Sequence, residues 1–208
     1  MAGVRFACCV ALLVCFQTLV SAHFTLTYPS SRGFDDTKEA TAPCGGFDTP
    51  SAQRVQIPLD GAFIEINSGH TSYTYIVNAL AKNNPTVADF SNTSSLVQVA
   101  QGGRAYPQAA CLPLAFNDIK PNTNVTLQVV YNGGDGLLYQ CVDAVVVDAA
   151  PSFNKTMCVN ADGSDTSSVS SSAPAASATG TSASQGSTTQ MAYGLTFIVA
   201  VCISVLLV

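Results

Sequence analysis

Val125, Leu127, Val129 and Tyr131 alternate with Thr126, Gln128 and Val130, a period of two that gives a strand one apolar face. Asn132-Gly133-Gly134-Asp135-Gly136 then reads as a turn and Leu137 to Val147 as a long partner strand, so the two predict a hairpin. Residues 62–66 and 73–77 are strand-like as well, separated by the turn-forming Asn67-Ser68-Gly69. That spacing predicts another hairpin, with His70 at or just after its turn. No sustained helical period and no internal repeat is present, and long loops such as 29–52 connect the strands. The pattern predicts an all-β fold, an antiparallel β-sandwich.

Apolar residues concentrate at both ends of the 208-residue chain. Arg5 precedes an almost unbroken apolar run over 6–19, and Val20-Ser21-Ala22 places small residues where a signal peptidase cuts. Residues 1–22 therefore read as a secretory signal. At the other end, residues 193–208 are uncharged and mostly apolar, behind a polar spacer and the small triplet Ser182-Ala183-Ser184. These features predict a glycosylphosphatidylinositol (GPI) anchor on Ser182 or Ser184, with 185–208 removed as a propeptide. A spanning helix usually needs about 20 apolar residues and basic cytoplasmic flanks, and this tail has neither. Residues 161–184 are rich in Ser, Thr and Ala and hold no aromatic residue, the composition of a disordered stalk. One folded domain, 23–160, remains.

Four of the eight cysteines, Cys44, Cys111, Cys141 and Cys158, lie in that domain. An even number on a secretory route predicts two disulfides, and of the three pairings the favoured one is Cys111–Cys141 with Cys44–Cys158. Sequons at Asn92, Asn124 and Asn154 predict exposed, N-glycosylated positions. The net charge of −5 contains no basic stripe, which argues against nucleic-acid binding. No nucleophile elbow or phosphate loop occurs. Asp35, Asp36 and Glu39 form an acidic loop whose spacing fits no calcium loop, so a solvated surface is expected there.

Cleavage after Ala22 changes the chemistry of one residue. It frees an α-amine on His23, which sheds its proton far more readily than lysine (about 7.7 against 10.4). That amine and the ring Nδ1 can chelate one ion together. The chain's other histidine, His70, would complete three nitrogens, a donor set suited to copper. Asp143 is a lone carboxylate in an apolar strand, on the same side as Tyr139, Cys141 and Val145. Burial demands a partner for it, either an arginine or lysine or a metal ion.

These features together resemble the fungal copper acquisition factors, which look like lytic polysaccharide monooxygenases. The residues that carry the resemblance are the signal ending before His23, Gly69-His70-Thr71-Ser72 before a strand, and Leu138-Tyr139-Gln140-Cys141-Val142-Asp143. The four cysteines, the stalk and the anchor signal also fit. The resemblance implies an immunoglobulin- or fibronectin-like sandwich holding one copper per chain in a histidine brace of His23 and His70. Asp143, with Asp118 as second choice, would stand where the oxidative enzymes keep an axial tyrosine. It further implies a GPI-anchored protein on the outer face of the plasma membrane or in the cell wall, bound to the membrane through its lipid only. Such a protein captures or delivers copper, with a surface copper transporter as partner. An anionic ligand favours Cu(II), and the chain has no tryptophan to dock a flat polysaccharide. Both points favour binding over catalysis. A copper-dependent polysaccharide monooxygenase and a metal-free wall or adhesion module are the alternatives.

Overall fold

A computed structural model describes residues 23–166. The expected signal, most of the expected stalk and the expected anchor region with Ser182 and Ser184 lie outside the described residues. Eight strands form two sheets: β1 Phe24–Tyr28, β2 Val55–Pro58, β3 Phe63–Ser68, β4 Tyr73–Leu80, β5 Leu96–Arg104, β6 Gln108–Pro113, β7 Thr123–Asn132 and β8 Leu137–Val147. The smaller sheet has the order β1-β3-β6, the larger β2-β8-β7-β4-β5. All pairings are antiparallel except β2 with β8. One short helix, α1 (Val87–Ser91), precedes β5.

The period-two reading of β7 and β8 holds. Val125, Leu127, Val129 and Tyr131 are fully buried and face the small sheet, sharing the core with Ile57, Val77, Val142 and Val146 of their own sheet and with Ile64, Ile66 and Leu112 of the small one. Each such side chain contributes roughly 1.5–3 kcal/mol by leaving water. The β7–β8 connection is held by Asn132, whose Oδ1 accepts the Gly134 N–H at 2.9 Å, while Gly134 takes φ 105°, which L side chains rarely adopt.

The other expected hairpin does not form. β3 pairs with β1 and β6, whereas β4 belongs to the larger sheet, so Gly69–Ser72 is a corner between sheets. Its cause lies in burial on both sides of β3: Phe63 and Ile64 are both buried, which a hairpin with one solvated face would not require.

Loop 29–52 is an ordered cover and not a free connection. Arg32 N–H donates to Cys141 O at 2.8 Å and Tyr139 N–H to Glu39 O at 2.8 Å, so the loop takes over the edge of β8 where β2 does not reach. Gly45, at φ 64°, allows this approach, because a Cβ there would overlap the Tyr139 carbonyl. Beneath the loop a small second core gathers Cys44, Cys141, Leu80 and Phe90.

The disulfides are Cys44–Cys141 and Cys111–Cys158, which corrects the expected Cys111–Cys141 and Cys44–Cys158. Cys111 lies on β6 of the small sheet, while Cys141 points outward from the large sheet into the loop. A bond between them would have to cross the core. The observed bonds close 97 and 47 residues of sequence, and the loop-entropy relation gives about 4.7 and 4 kcal/mol for them. A non-reducing digest should therefore yield Cys44 linked to Cys141 and Cys111 linked to Cys158. Replacing Cys44 and Cys141 together by serine should lower unfolding stability by about 2–5 kcal/mol in urea titrations.

Candidate metal site

His23 and His70 meet at one end of the sandwich. Phe24 lies opposite Ser68 in the β1–β3 ladder, and Gly69 N–H donates to His23 O at 3.1 Å, so a single backbone hydrogen bond ties the two histidine segments together. The His23 ring is held twice: Phe34 meets it edge-on at 6.4 Å, and Nε2 lies 3.0 Å from Asp36 O. A carbonyl only accepts, so Nε2 carries the hydrogen and Nδ1 carries the lone pair. Nδ1 is the nitrogen that a chelate with the α-amine requires.

His70 is fixed from below. Ser68 Oγ accepts the His70 N–H at 3.1 Å, lies 3.1 Å from His70 O, and shares a 2.6 Å hydrogen bond with the Tyr131 hydroxyl. Tyr131 is sandwiched between Phe24 (4.7 Å) and Tyr73 (4.8 Å), which makes this floor a stack of three rings. The ring of His70 lies directly over Gly133, where any Cβ would overlap Nε2 and Cδ2. His70 Nε2 is buried and accepts or donates no hydrogen bond, with Asp135 Oδ2 3.5 Å away. A buried ring nitrogen without a hydrogen bond is costly in a native fold, and a metal ion is one partner that would satisfy it. Among the described residues, no group of three or more His, Cys, Asp and Glu side chains is already gathered around one point.

Asp143 takes no part in this end. Thr126 is its cross-strand neighbour, whereas Tyr131 faces Leu138, five residues or roughly 16 Å away along β8. Its carboxylate is 5% exposed and fully engaged by loop 29–52. Arg32 Nε and Nη2 each donate to it at 2.7 Å, Thr126 Oγ1 at 2.6 Å and Ser51 N–H at 2.7 Å. Arg54 Nη1 lies 3.5 Å from Oδ1. The arginine reading of this residue is therefore the correct one, and the metal-ligand reading is corrected. Burial pushes the Asp143 carboxyl up, yet the hydrogen bonds from Arg32, Thr126 and Ser51 together outweigh it and leave the carboxyl below its ordinary value. Asp118 is exposed in the β6–β7 loop, where Asn122 N–H bonds Val146 O at the opposite end of the sandwich. It is corrected as well.

Two carboxylates that sequence reasoning passed over stand near the histidines. Asp135 sits in the β7–β8 turn beside His70. Glu39 was read as part of a solvated acidic loop, but it is 1% exposed and only its neighbours Asp35 and Asp36 match that reading. Its one sequence-level signal was adjacency to the small-residue run Ala40-Thr41-Ala42. Of the sequons, Asn92 and Asn154 are exposed, while Asn124 is half-buried and donates to Asn83 Oδ1 at 3.0 Å.

Residues 21–163 match the family described as "Copper acquisition factor BIM1-like". The chain is 39% identical over 151 residues to the copper acquisition factor BIM1 of Cryptococcus neoformans var. grubii, covering 67% of this chain and 66% of that protein. It is 37% identical over 137 residues to the BIM1 of C. neoformans var. neoformans, covering 61% of each. It is also 29% identical over 147 residues to the lytic polysaccharide monooxygenase-like protein X325 of Yarrowia lipolytica, covering 69% of this chain and 56% of that one. The matched region spans between 56% and 66% of the length of these relatives.

The Asp143 network makes a separate prediction about stability. The depressed carboxyl means that the unfolded chain binds a proton more readily than the fold does. Its stabilisation is complete above the ordinary aspartate range, about pH 4, and is lost as pH falls through the depressed value. Asp143→Asn should cost about 3–5 kcal/mol at pH 7, because it leaves the buried Arg32 guanidinium without its counter-charge. In urea unfolding, the gap between variant and wild type should narrow in acid. Copper affinity of the folded variant should stay unchanged.

Proposed function

The chain belongs to the BIM1-like copper acquisition factor family, and on that footing we propose that its mature form captures or hands on copper at the cell surface through His23 and His70. The family gives the link to copper. The observation that supports the residue assignment is the placing of both histidines at one end of the sandwich, with the His23 Nε2 turned to Asp36 O and the His70 Nε2 buried without a hydrogen bond. Signal cleavage before His23 adds the amine. Two imidazole nitrogens and an amine are borderline donors that suit copper, and the set accommodates one ion per chain.

Asp135 takes the carboxylate role in this proposal. It stands 3.5 Å from His70 Nε2, on a glycine-flanked turn that can adjust when an ion enters. A carboxylate contributes more to the attraction of Cu(II) than of Cu(I), since Coulomb energy scales with ion charge. Copper taken up as Cu(II) would then be released most readily on reduction. A surface copper transporter is the corresponding acceptor, and a GPI anchor on Ser182 or Ser184 the corresponding tether, with glycans on Asn92, Asn124 and Asn154. Binding requires deprotonated donors, so affinity should fall on acidification.

The test is a competition titration of Cu(II) against a chelator, using the processed protein and a form that retains Ala22. Retention should cost at least about a hundredfold in affinity, since it removes one nitrogen and the chelate ring. Equal affinity would remove the brace. Gly133→Ala should displace the His70 ring without deleting a ligand and weaken binding about tenfold, with little change in urea midpoint. Incubation with reductant and several glycans, followed by mass spectrometry, tests the enzymatic alternative. Unoxidised chain ends are expected, and oxidised ones would establish a monooxygenase.

A further inference from the structure

Glu39 is a buried acid with one oxygen satisfied and one left over. Its Oε1 accepts from Gln140 Nε2 at 2.8 Å, and its Oε2 is buried with no hydrogen bond. The same Gln140 Nε2 donates to Phe24 O at 2.6 Å, so the Glu39 carboxylate shares an amide with the residue next to His23. The Glu39 backbone is pinned by Tyr139 N–H, and Asp36, three residues earlier in the loop, holds the His23 ring. The stretch from Asp36 to Glu39 thus wraps the start of β1. Among the described residues, no lysine or arginine forms an ion pair with Glu39. Burial pushes its carboxyl up, against the opposing pull of Gln140. A carboxylate left in this condition is costly unless a cationic partner arrives.

Signal cleavage supplies one. Before cleavage the His23 nitrogen is a planar amide with a single hydrogen and no charge. Afterwards it is an ammonium with three hydrogens, one residue from the amide that lies against Glu39. We propose that Glu39 is the internal counter-charge for the α-amino group exposed at His23, so that processing both creates a copper donor and docks it in place. In the metal-free protein the ammonium donates to Oε2. To bind copper the ammonium must first release one proton to solvent; the resulting amine would keep two hydrogens, one of them still directed at Oε2. Glu39 is therefore a positioning residue, holding the amine on the side where Nδ1 of the same histidine points. The inference deepens the brace reading and rests on His23 being the mature first residue.

The experiment compares four proteins: the processed form and the form retaining Ala22, each with Glu39 or Glu39→Gln. Glutamine preserves shape and the Gln140 contact. Thermal unfolding in chelator should show Glu39→Gln lowering Tm by at least about 4 °C more in the processed form than in the extended one. Equal shifts in the two backgrounds overturn the proposal, because a merely structural Glu39 would act alike in both. Glu39→Gln should also weaken Cu(II) binding about tenfold in the processed form, as loss of an orienting contact does, and leave the extended form unaffected. If the wild-type proteins bind copper equally, the brace has failed; if they differ while the Tm coupling is zero, only the Glu39 assignment has. Should Glu39→Gln fail to fold, a crystal structure of the processed wild type decides. An α-nitrogen about 3 Å from Glu39 Oε2 is expected, and one turned to solvent overturns the assignment.

Discussion

The carboxamide of Gln140 is the contact on which the histidine end depends. Its Oε1 accepts Leu26 N–H at 3.1 Å, and its Nε2 serves both Phe24 O and Glu39 Oε1. A single buried side chain from the large sheet thereby fastens the first strand of the small sheet and the covering loop together. β1 has only β3 as a ladder partner, so without Gln140 its other edge would carry unsatisfied backbone groups inside the core. The placement of His23 follows in part from this clamp, which fixes the strand that begins one residue after it and the loop whose Asp36 carbonyl meets its ring.

The arrangement also explains why a chain with long loops folds to a defined site. Loop 29–52 is anchored at four kinds of contact: backbone bonds to the β8 edge, the Cys44–Cys141 bridge, the Arg32–Asp143 pair and Glu39 on Gln140. Arg32 donates to Asp143, Thr126, Phe47 O and Asp48 O, so its guanidinium organises the loop around itself as well as neutralising a buried charge. Structural electrostatics occupy the outer face of the large sheet, and the candidate metal chemistry occupies the end. Asp143 and the histidines are separated by the length of five strand residues and do not compete.

Much of this was legible in the residues, for identifiable reasons. Period-two alternation found β7, and the apolar run 137–147 both gave β8 and placed Asp143 in buried surroundings, since such patterns are local properties. They could not name Arg32, which is 111 positions distant in a loop without periodicity. The change of direction expected at Asn67-Ser68-Gly69 comes at Gly69–Ser72, with Asn67 and Ser68 still in β3, and turn residues do not signal which sheet the chain rejoins. Disulfide pairing likewise depends on which sheet carries each cysteine. His23 and His70 stood out because the chain has only two histidines and one follows a cleavage signal. Glu39 was hidden by its exposed acidic neighbours, and Asp135 by its place in a glycine-rich turn, where a carboxylate ordinarily serves the backbone.

The last described segment adds an orientation. Ala161 N–H bonds Ala109 O, Asn160 Oδ1 accepts Cys111 N–H, and residues 160–164 coil into a turn there. Ala109 is the ladder neighbour of Asn67, three positions before His70. The polypeptide thus leaves the sandwich at the pole that bears the imidazoles. Whatever follows Ala161 therefore starts from the half of the domain that bears the imidazoles, far from the loop that holds Asp118.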